Sequence, residues 1–198
     1  MIDPLARIAG RRGHFRMESG YHGDLWLELD GLFVEPRCIA PSIDALASRL
    51  RPHDADVVCG PLLGGAFVAQ LLAHALDADF AFTERVASSP TDTLHGARYR
   101  LPAVLVERVR GRRIALVDDV MSAGSSLRAT HAALQDAGAV PVVVAVLTVL
   151  GRRGADHFAQ LGLPVETLSH QTLDSWAPAD CPLCRASVPL EDVAVGPG

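Results

Sequence analysis

Apolar runs of strand length alternate with segments of helical periodicity along most of this chain. Strands are predicted at 25–30, 56–59, 79–82, 113–117, 142–150 and 164–168, with a strand or hairpin at 99–106. Helices are predicted at 3–10, 42–50, 66–76, 125–137 and 154–161. Strands that alternate with helices indicate βαβ units. We therefore predict an α/β fold, a mainly parallel sheet flanked by helices on both faces.

The order of these elements also predicts where the loops lie. Right-handed crossovers bring the carboxyl ends of successive parallel strands to one edge of the sheet, so the loops around Gly60 and Ser122 should face one ligand. Residues 86–96 are polar and have no apolar period, which is typical of a lid loop. The end of the chain is rich in proline and small residues. We expect a principal domain over 1–170 and a tail over 171–198.

The charge balance narrows the choice of partner. The chain has 198 residues and a formal net charge of −5, and its basic residues other than histidine are all arginine. Non-specific nucleic-acid binding needs clustered basic residues, so we expect no nucleic-acid partner. No apolar run approaches the ~20 residues that span a membrane, and the start of the chain lacks a signal-peptide core. We therefore expect a cytoplasmic protein with no membrane partner.

The most informative stretch runs from Ala115 to Ser126. An apolar strand ends in two adjacent carboxylates, Asp118 and Asp119, and a turn of small and hydroxyl-bearing residues leads into a helix. Backbone N–H groups from Ser122 onward, with the positive end of that helix, can hold a dianionic phosphate. The acids can accept hydrogen bonds from vicinal sugar hydroxyls. The stretch therefore predicts a sugar-phosphate site; the alternative is a helix N-cap whose acids pair with an arginine.

This stretch resembles the ribose-phosphate motif of type I phosphoribosyltransferases. It is most similar to the motif of orotate phosphoribosyltransferases, whose Thr-Ala-Gly-Thr loop matches Ser122-Ala123-Gly124-Ser125. The likeness extends over about residues 15–150. Ser19-Gly20 and the strand after it resemble the family's N-terminal base-binding hood, placed here at about 12–40. Gly60-Pro61-Leu62-Leu63-Gly64-Gly65 resembles its pyrophosphate loop, and residues 87–96 lie where the family has a mobile catalytic loop.

The resemblance implies an enzyme that transfers ribose 5-phosphate from 5-phosphoribosyl 1-pyrophosphate (PRPP) to a nucleobase and releases pyrophosphate. Orotate is the expected base and orotidine 5′-monophosphate the expected product. Asp118 and Asp119 would be the catalytic acids, holding ribose hydroxyls and, through the ribose or water, Mg²⁺. The implied phosphate and pyrophosphate contacts are Ser122, Ala123, Gly124, Ser125, Ser126, Gly60, Pro61, Gly64 and Gly65. The family usually forms dimers, so a homodimer is expected.

The chain departs from the orotate enzymes where they carry lysines. Glu18 and Gly64 stand at two of those positions, and residues 87–96 contain neither Lys nor Arg. The arginines that flank this segment are expected to bind the pyrophosphate instead, because an arginine fork holds two oxygens. They are Arg85, Arg98 and Arg100.

The base side of the site is less well defined. Candidate base contacts are Glu18, Ser19, His22 and Trp26. Glu18 would repel the carboxylate of orotate but accept hydrogen bonds from a neutral or cationic base; the alternative is an exposed Glu18 and an alignment shifted by one residue. A purine or another base is therefore the alternative substrate. A regulator that binds PRPP or a nucleotide without catalysis is the alternative from another class.

Cys181 and Cys184 form a Cys-x-x-Cys pair in the tail, which resembles half of a zinc knuckle. Structural Zn²⁺ usually has four protein ligands, and the chain has no second pair of this spacing. The candidates for completing the site are His22, His170, Cys38, Cys59 and the same pair of a second subunit. The alternatives are a dithiol redox site or two reduced thiols in a tail.

Overall fold

The computed structural model describes residues 10–17, 19–86 and 97–192. These residues form a six-stranded sheet flanked by helices and a separate four-stranded sheet, which we call the hood sheet. The strands are β1 (Gly10–Arg16), β2 (His22–Leu27), β3 (Val57–Pro61), β4 (Asp79–Val86), β5 (Arg98–Arg100), β6 (Arg113–Met121), β7 (Val140–Leu150), β8 (Val165–Gln171), β9 (Ser175–Trp176) and β10 (Glu191–Asp192). The helices are α1 (Pro36–Leu50), α2 (Gly64–Leu76), α3 (Ala103–Val109), α4 (Ser125–Asp136), α5 (Arg153–Gln160) and α6 (Pro182–Arg185).

The six-stranded sheet has the order β5-β4-β3-β6-β7-β8 and is parallel except for the edge strand β5. Its central strands read as continuous apolar runs because helices cover both faces. One cluster of buried side chains lies under α1 and α2, and the other lies under α3, α4 and α5. This arrangement confirms the predicted α/β fold.

Two of the predicted elements differ most from those observed. Residues 99–106, predicted as a strand or hairpin, contain only the short β5 before α3 begins at Ala103. Pro102, with φ of −53° and ψ of 141°, ends the strand and starts the helix. Helix α1 begins at Pro36 rather than at Ser42, so Pro41 lies inside it. Pro41 is exposed, and a backbone carbonyl left without a partner on that face can be solvated.

The hood sheet has the order β10-β1-β2-β9. Strands β1 and β2 form an antiparallel hairpin from the start of the chain. Strands β9 and β10, of two residues each, come from the tail and pair with the two outer edges of that hairpin. The described part of the tail is therefore folded onto the hood and supplies both outer strands of its sheet.

The segments predicted as an opening helix and as a lid lie mostly outside the described residues. These are 3–9 of the helix and 87–96 of the lid, and Glu18 is also outside. Among the described helices, none combines the length and the apolar character needed to cross a membrane.

Candidate active site

The loops that follow β3 and β6 meet at one edge of the sheet, as their order predicted. The two strands are paired in parallel, with Cys59 opposite Leu116, so their carboxyl ends lie side by side. The loops then touch closely: a Cβ built on Gly64 would lie 2.2 Å from Oδ2 of Asp119, and one on Gly65 would lie 2.7 Å from Oδ1 of Asp118. A side chain at either glycine would therefore displace a carboxylate.

Asp118 and Asp119 are the last polar pair of β6 and are almost fully buried, at 6% and 8% exposure. Strand β6 continues through them to Met121, beyond the predicted end at Val117. The Oδ1 of Asp118 accepts the backbone N–H of Asp119 at 3.0 Å, and its Oδ2 accepts the hydroxyl of Ser126 at 2.8 Å. These two hydrogen bonds fix the orientation of the Asp118 carboxyl group at the carboxyl end of β6.

Burial raises the pKa of Asp118 well above its ordinary range, and the negative charge of Asp119 raises it further. The hydrogen bond from Ser126 opposes that shift without cancelling it. Two ionised carboxylates that lie this close and are buried away from water repel each other. They are stabilised when a cation or a donor group binds them.

The turn from Ser122 to Ser126 leads into α4 as a phosphate cradle would. Gly124 has φ of +75°, and α4 begins at the next residue with no side chain capping its first N–H groups. A helix N-terminus without a side-chain cap is a site for an anion. The hydroxyl of Ser126 is engaged by Asp118, so among the predicted contacts Ser126 would offer the phosphate its backbone N–H alone.

Arg128 braces this turn from outside, and sequence reasoning did not single it out. Its Nε donates to the carbonyl of Ala123 at 3.0 Å, and its Nη2 donates to the carbonyl of Arg153 at 3.2 Å. The side chain therefore ties the cradle to the start of α5. The one sequence signal for these hydrogen bonds is that Arg128 lies one helical turn after the cradle.

A cavity of about 350 Å³ opens between the cradle and the hood. The turn 122–126 lines one side, and the hood lines the other with Met17, Ser19, Leu25 and Trp26. Arg85 from the end of β4 also reaches it. The structure thus brings two of the predicted base contacts, Ser19 and Trp26, to the same cavity as the predicted phosphate site.

The three flanking arginines do not share one location. Arg85 lies opposite Tyr99 in the β4–β5 pair, whereas Arg98 and Arg100 lie opposite Val86 and Glu84. Neighbouring positions on a strand face opposite sides of the sheet, so Arg85 is separated from the other two. Arg98 and Arg100 line a different depression, between β5 and α4, and Arg100 is 3.6 Å from Glu84.

His22 does not line the cavity; it lies in a cluster with His14, Cys181 and Cys184. The four candidate ligand atoms all lie within 4.8 Å of one another. His14 Nε2 lies 3.1 Å from His22 Nδ1 and 3.4 Å from Cys181 Sγ, and Cys184 Sγ lies 3.3 Å from His22 Nδ1. Burial lowers the pKa of His22, and nearby His14 and Arg16 lower it further.

The other residues proposed to join the cysteine pair lie elsewhere. Cys59 is buried in the core on β3, where burial raises the pKa of its thiol to about 12. Cys38 is exposed on α1, 3.3 Å from Glu35, and His170 contacts the carbonyl of Gly151. The partner that the sequence missed is His14, and no spacing rule marks a histidine so far from the cysteines.

A bulge in the hood hairpin aims His14 inward. The β1–β2 register shifts between Arg12 and Phe15, and His14 and Phe15 are both buried although they are consecutive. A regular strand would point two consecutive residues to opposite faces, whereas a bulge re-aims one of them. Such a bulge is not visible in the sequence.

The chain is similar to known proteins over most of its length. The family model of the phosphoribosyl transferase domain matches residues 38–184. The orotate phosphoribosyltransferase of Thermotoga maritima is 30% identical over 179 residues, which cover 90% of this chain and 88% of that protein.

Solved structures share the fold. The crystal structure of orotate phosphoribosyltransferase from Aeropyrum pernix matches with a TM-score of 0.62 and 21% identity, covering 82% of this chain and 88% of that one. Adenine phosphoribosyltransferase from Thermoanaerobacter pseudethanolicus matches with a TM-score of 0.58 and 19% identity, covering 75% and 89%. Because the fold hosts enzymes for different bases, it does not identify the base for this chain.

Proposed function

This chain belongs to the phosphoribosyltransferase family and is a pentosyltransferase, and we propose that it forms orotidine 5′-monophosphate from orotate and PRPP. In this reaction the bond from C1′ of the ribose to pyrophosphate breaks and a bond from C1′ to the ring nitrogen of the base forms. Pyrophosphate leaves, and the proton of that nitrogen is released.

The observation that supports this proposal most strongly is the single cavity shared by the cradle and the hood. A ribose 5-phosphate seated on residues 122–126 would place its C1′ toward the hood. Met17, Leu25 and Trp26 offer an apolar wall for a planar base there. The choice of orotate rests on the Thermotoga maritima relative, at 30% identity over nearly the whole chain.

Asp118 and Asp119 are proposed to bind the 2′- and 3′-hydroxyls of the ribose. Positive charge develops at C1′ as pyrophosphate departs, and buried carboxylates near the ring stabilise it. Their burial strengthens this effect, because little water screens the charges. Gly64 leaves room for the second carboxylate, because a Cβ there would lie 2.2 Å from Oδ2 of Asp119.

The residues present also fit the Mg²⁺ that phosphoribosyltransferases generally use with PRPP. Mg²⁺ prefers carboxylate, phosphate and water oxygens, and the buried acid pair offers carboxylate oxygens beside the predicted pyrophosphate loop. Asp118 and Asp119 would hold it through the ribose or through water. When bound, Mg²⁺ offsets negative charge on the leaving pyrophosphate.

The pyrophosphate is proposed to lie against residues 60–65, where the chain carries glycines instead of a lysine side chain. Arg85 is the cation that the structure brings to the cavity, so we assign the pyrophosphate charge to it. Arg98 and Arg100, which line another depression, are not assigned to this role.

Pyrophosphate release measured with PRPP, Mg²⁺ and a panel of bases tests the proposal. We expect kcat/KM for orotate to exceed that for uracil, adenine and hypoxanthine by at least about 10²-fold, a ratio that one polar contact to the orotate carboxylate would supply. Faster reaction with a purine would overturn the choice of base. Binding of PRPP without pyrophosphate release for any base would indicate a regulator instead.

The assembly is a further part of this proposal. We expect a homodimer acting in the cytoplasm, and sedimentation of the purified chain tests the dimer directly.

A further inference from the structure

We propose that His14, His22, Cys181 and Cys184 form a structural Zn²⁺ site that clamps the tail to the hood. The site lies outside the cavity assigned to PRPP and the base, so its metal content does not depend on the proposed reaction. Its ligands come from β1, from β2 and from the segment that starts α6. No pair of these segments is adjacent in the chain except the two hood strands.

Four of the six distances between the ligand atoms are close to those of tetrahedral zinc, and all six are within 4.8 Å. With Zn–N bonds of ~2.0–2.1 Å and Zn–S bonds of ~2.3 Å, the ligand atoms of a tetrahedral site lie ~3.3–3.8 Å apart. In this cluster the nitrogen–nitrogen distance is 3.1 Å, and the nitrogen–sulfur distances to His14 Nε2 are 3.4 and 3.7 Å. A third nitrogen–sulfur distance, from Cys184 Sγ to His22 Nδ1, is 3.3 Å. A small inward or outward adjustment of each side chain seats the ion.

The hydrogen bond on the far side of His14 sets its tautomer. Nδ1 of His14 lies 2.9 Å from the carbonyl oxygen of Val188, which can only accept, so Nδ1 carries the proton. Nε2 of the neutral ring then offers one lone pair. A backbone carbonyl that orients a ligating histidine in this way is the usual outer partner of a zinc ligand.

Every hydrogen-bonding arrangement of this cluster leaves one unfavourable contact. Nδ1 of His22 and the sulfur atoms of Cys181 and Cys184 all lie near the one lone pair of His14, which accepts a single good hydrogen bond. If the thiol of Cys184 bonds instead to Nδ1 of His22, two ring-nitrogen lone pairs face each other at 3.1 Å. A metal ion is bound by all four atoms at once.

The charge of the loaded site also fits its surroundings. His14, His22 and Cys181 are buried, at 3%, 4% and 0% exposure. Two thiolates and two neutral imidazoles balance the charge of Zn²⁺, so the loaded site is neutral and burial costs little. Binding releases the two thiol protons to solvent. Cys184 is exposed and gives the ion a path in.

Four protein ligands leave no open position for water or substrate, which marks a structural site rather than a catalytic one. Its structural task follows from the pairings around it. Strands β9 and β10 have two residues each, too short to hold the tail by themselves. His22 lies directly opposite Trp176 of β9, so an ion at His22 fixes that pairing.

Metal content is the first test. Wild-type protein purified without added zinc should contain about one Zn²⁺ per chain by elemental analysis. Cys184→Ser and His14→Gln should each contain less than about 0.1. Cys38→Ser and His170→Gln are the matched controls, because they remove the same residue types outside the cluster and should keep the wild-type content.

If a ligand variant fails to fold, wild-type protein stripped with a zinc-selective chelator gives the answer. Added Co²⁺ should produce the intense visible bands of a tetrahedral thiolate site, and one equivalent of Zn²⁺ should remove them. Wild-type protein that contains no zinc and shows no such bands with Co²⁺ would overturn the proposal. Retention of zinc by both ligand variants would do the same.

The rate of proteolysis within the tail tests the clamp separately from metal content. Stripped protein should be cut by protease within the tail at least about tenfold faster than loaded protein, because the tail strands open more often without the ion. If the proposed function holds, stripping should also raise KM for the base more than KM for PRPP, since the hood lines the base side of the cavity. Equal proteolysis with and without zinc would overturn the clamp, whatever the activity.

Discussion

The reactive edge at 118–126 and the histidine–cysteine cluster of the hood are both groups of buried polar side chains, but they are assembled differently. The reactive edge comes from one continuous stretch and one neighbouring loop. The cluster joins residues up to 170 positions apart. The first is set by local strand–turn–helix geometry, whereas the second exists only after the whole chain has folded. They should therefore respond to different perturbations.

Replacement of Asp119 by Asn should have the largest effect. Losing one buried charge next to C1′ should reduce kcat/KM by at least about 10²-fold, a size typical of lost electrostatic stabilisation. The zinc content should stay at the wild-type level, because Asp119 lies in the other region. Near-normal turnover with PRPP and orotate would contradict the role of the acid pair.

A second, indirect variant tests the same carboxylate. Gly64→Ala places a methyl group where it would lie 2.2 Å from Asp119 Oδ2, so the carboxylate must move. We expect a loss of about 10-fold to 10²-fold in kcat/KM with a folded protein by circular dichroism, since small displacements of catalytic groups are costly. Gly31→Ala, with no atom within 4 Å of the added methyl group, is the control.

Chelation of zinc should affect stability more than activity, in contrast to the substitutions at Asp119 and Gly64. The melting temperature should fall by several degrees, because an ion that binds only the folded state stabilises it. Turnover of stripped enzyme at saturating base and PRPP should fall less than in Asp119→Asn. Equal melting temperatures before and after chelation would show that the cluster does not contribute to stability.

The smallest expected effect is the pH dependence that Asp118 gives to the free energy of unfolding. Unlike zinc, the ionised Asp118 should destabilise the folded protein. Its pKa is raised in the folded state, so the folded protein binds the proton more tightly than the unfolded chain. Asp118 therefore contributes most to the free energy of unfolding at low pH. This contribution is lost as the pH rises from the pKa of the unfolded chain, about 3.9, through the raised pKa of the folded protein.

The variant that tests this shift is Asp118→Asn. At neutral pH we expect it to be more stable than wild type, although without activity. Chemical denaturation of both proteins at several pH values measures the difference. A variant that is less stable than wild type at neutral pH would contradict the raised pKa.

The same contrast explains what the sequence could predict. The alternation of strands and helices indicates the fold class, and the parallel order of the strands predicts that the 60–65 and 122–126 loops lie together, as they do. Both inferences use short-range patterns. The predicted start of α1 at Ser42 is too late, because the exposed position of Pro41 tolerates a proline inside the helix.

Long-range features were harder to foresee. His22 is a candidate both for the base and for the zinc site in the sequence, and its ring lies beside His14 and Cys184. That position depends on the bulge at His14 and on the pairing of Trp176 with His22. Neither leaves a mark in the local sequence. Arg98 and Arg100 were grouped with Arg85 by proximity in the chain, but the strand alternation separates them.

One competition reaction tests the central claim most directly. Wild-type enzyme is incubated with PRPP, Mg²⁺ and equal concentrations of orotate, uracil, adenine and hypoxanthine, and the nucleotides formed are identified by mass spectrometry. We predict that orotidine 5′-monophosphate is the main product. A purine nucleotide as the main product, or no nucleotide at all from protein that binds PRPP, would contradict the account.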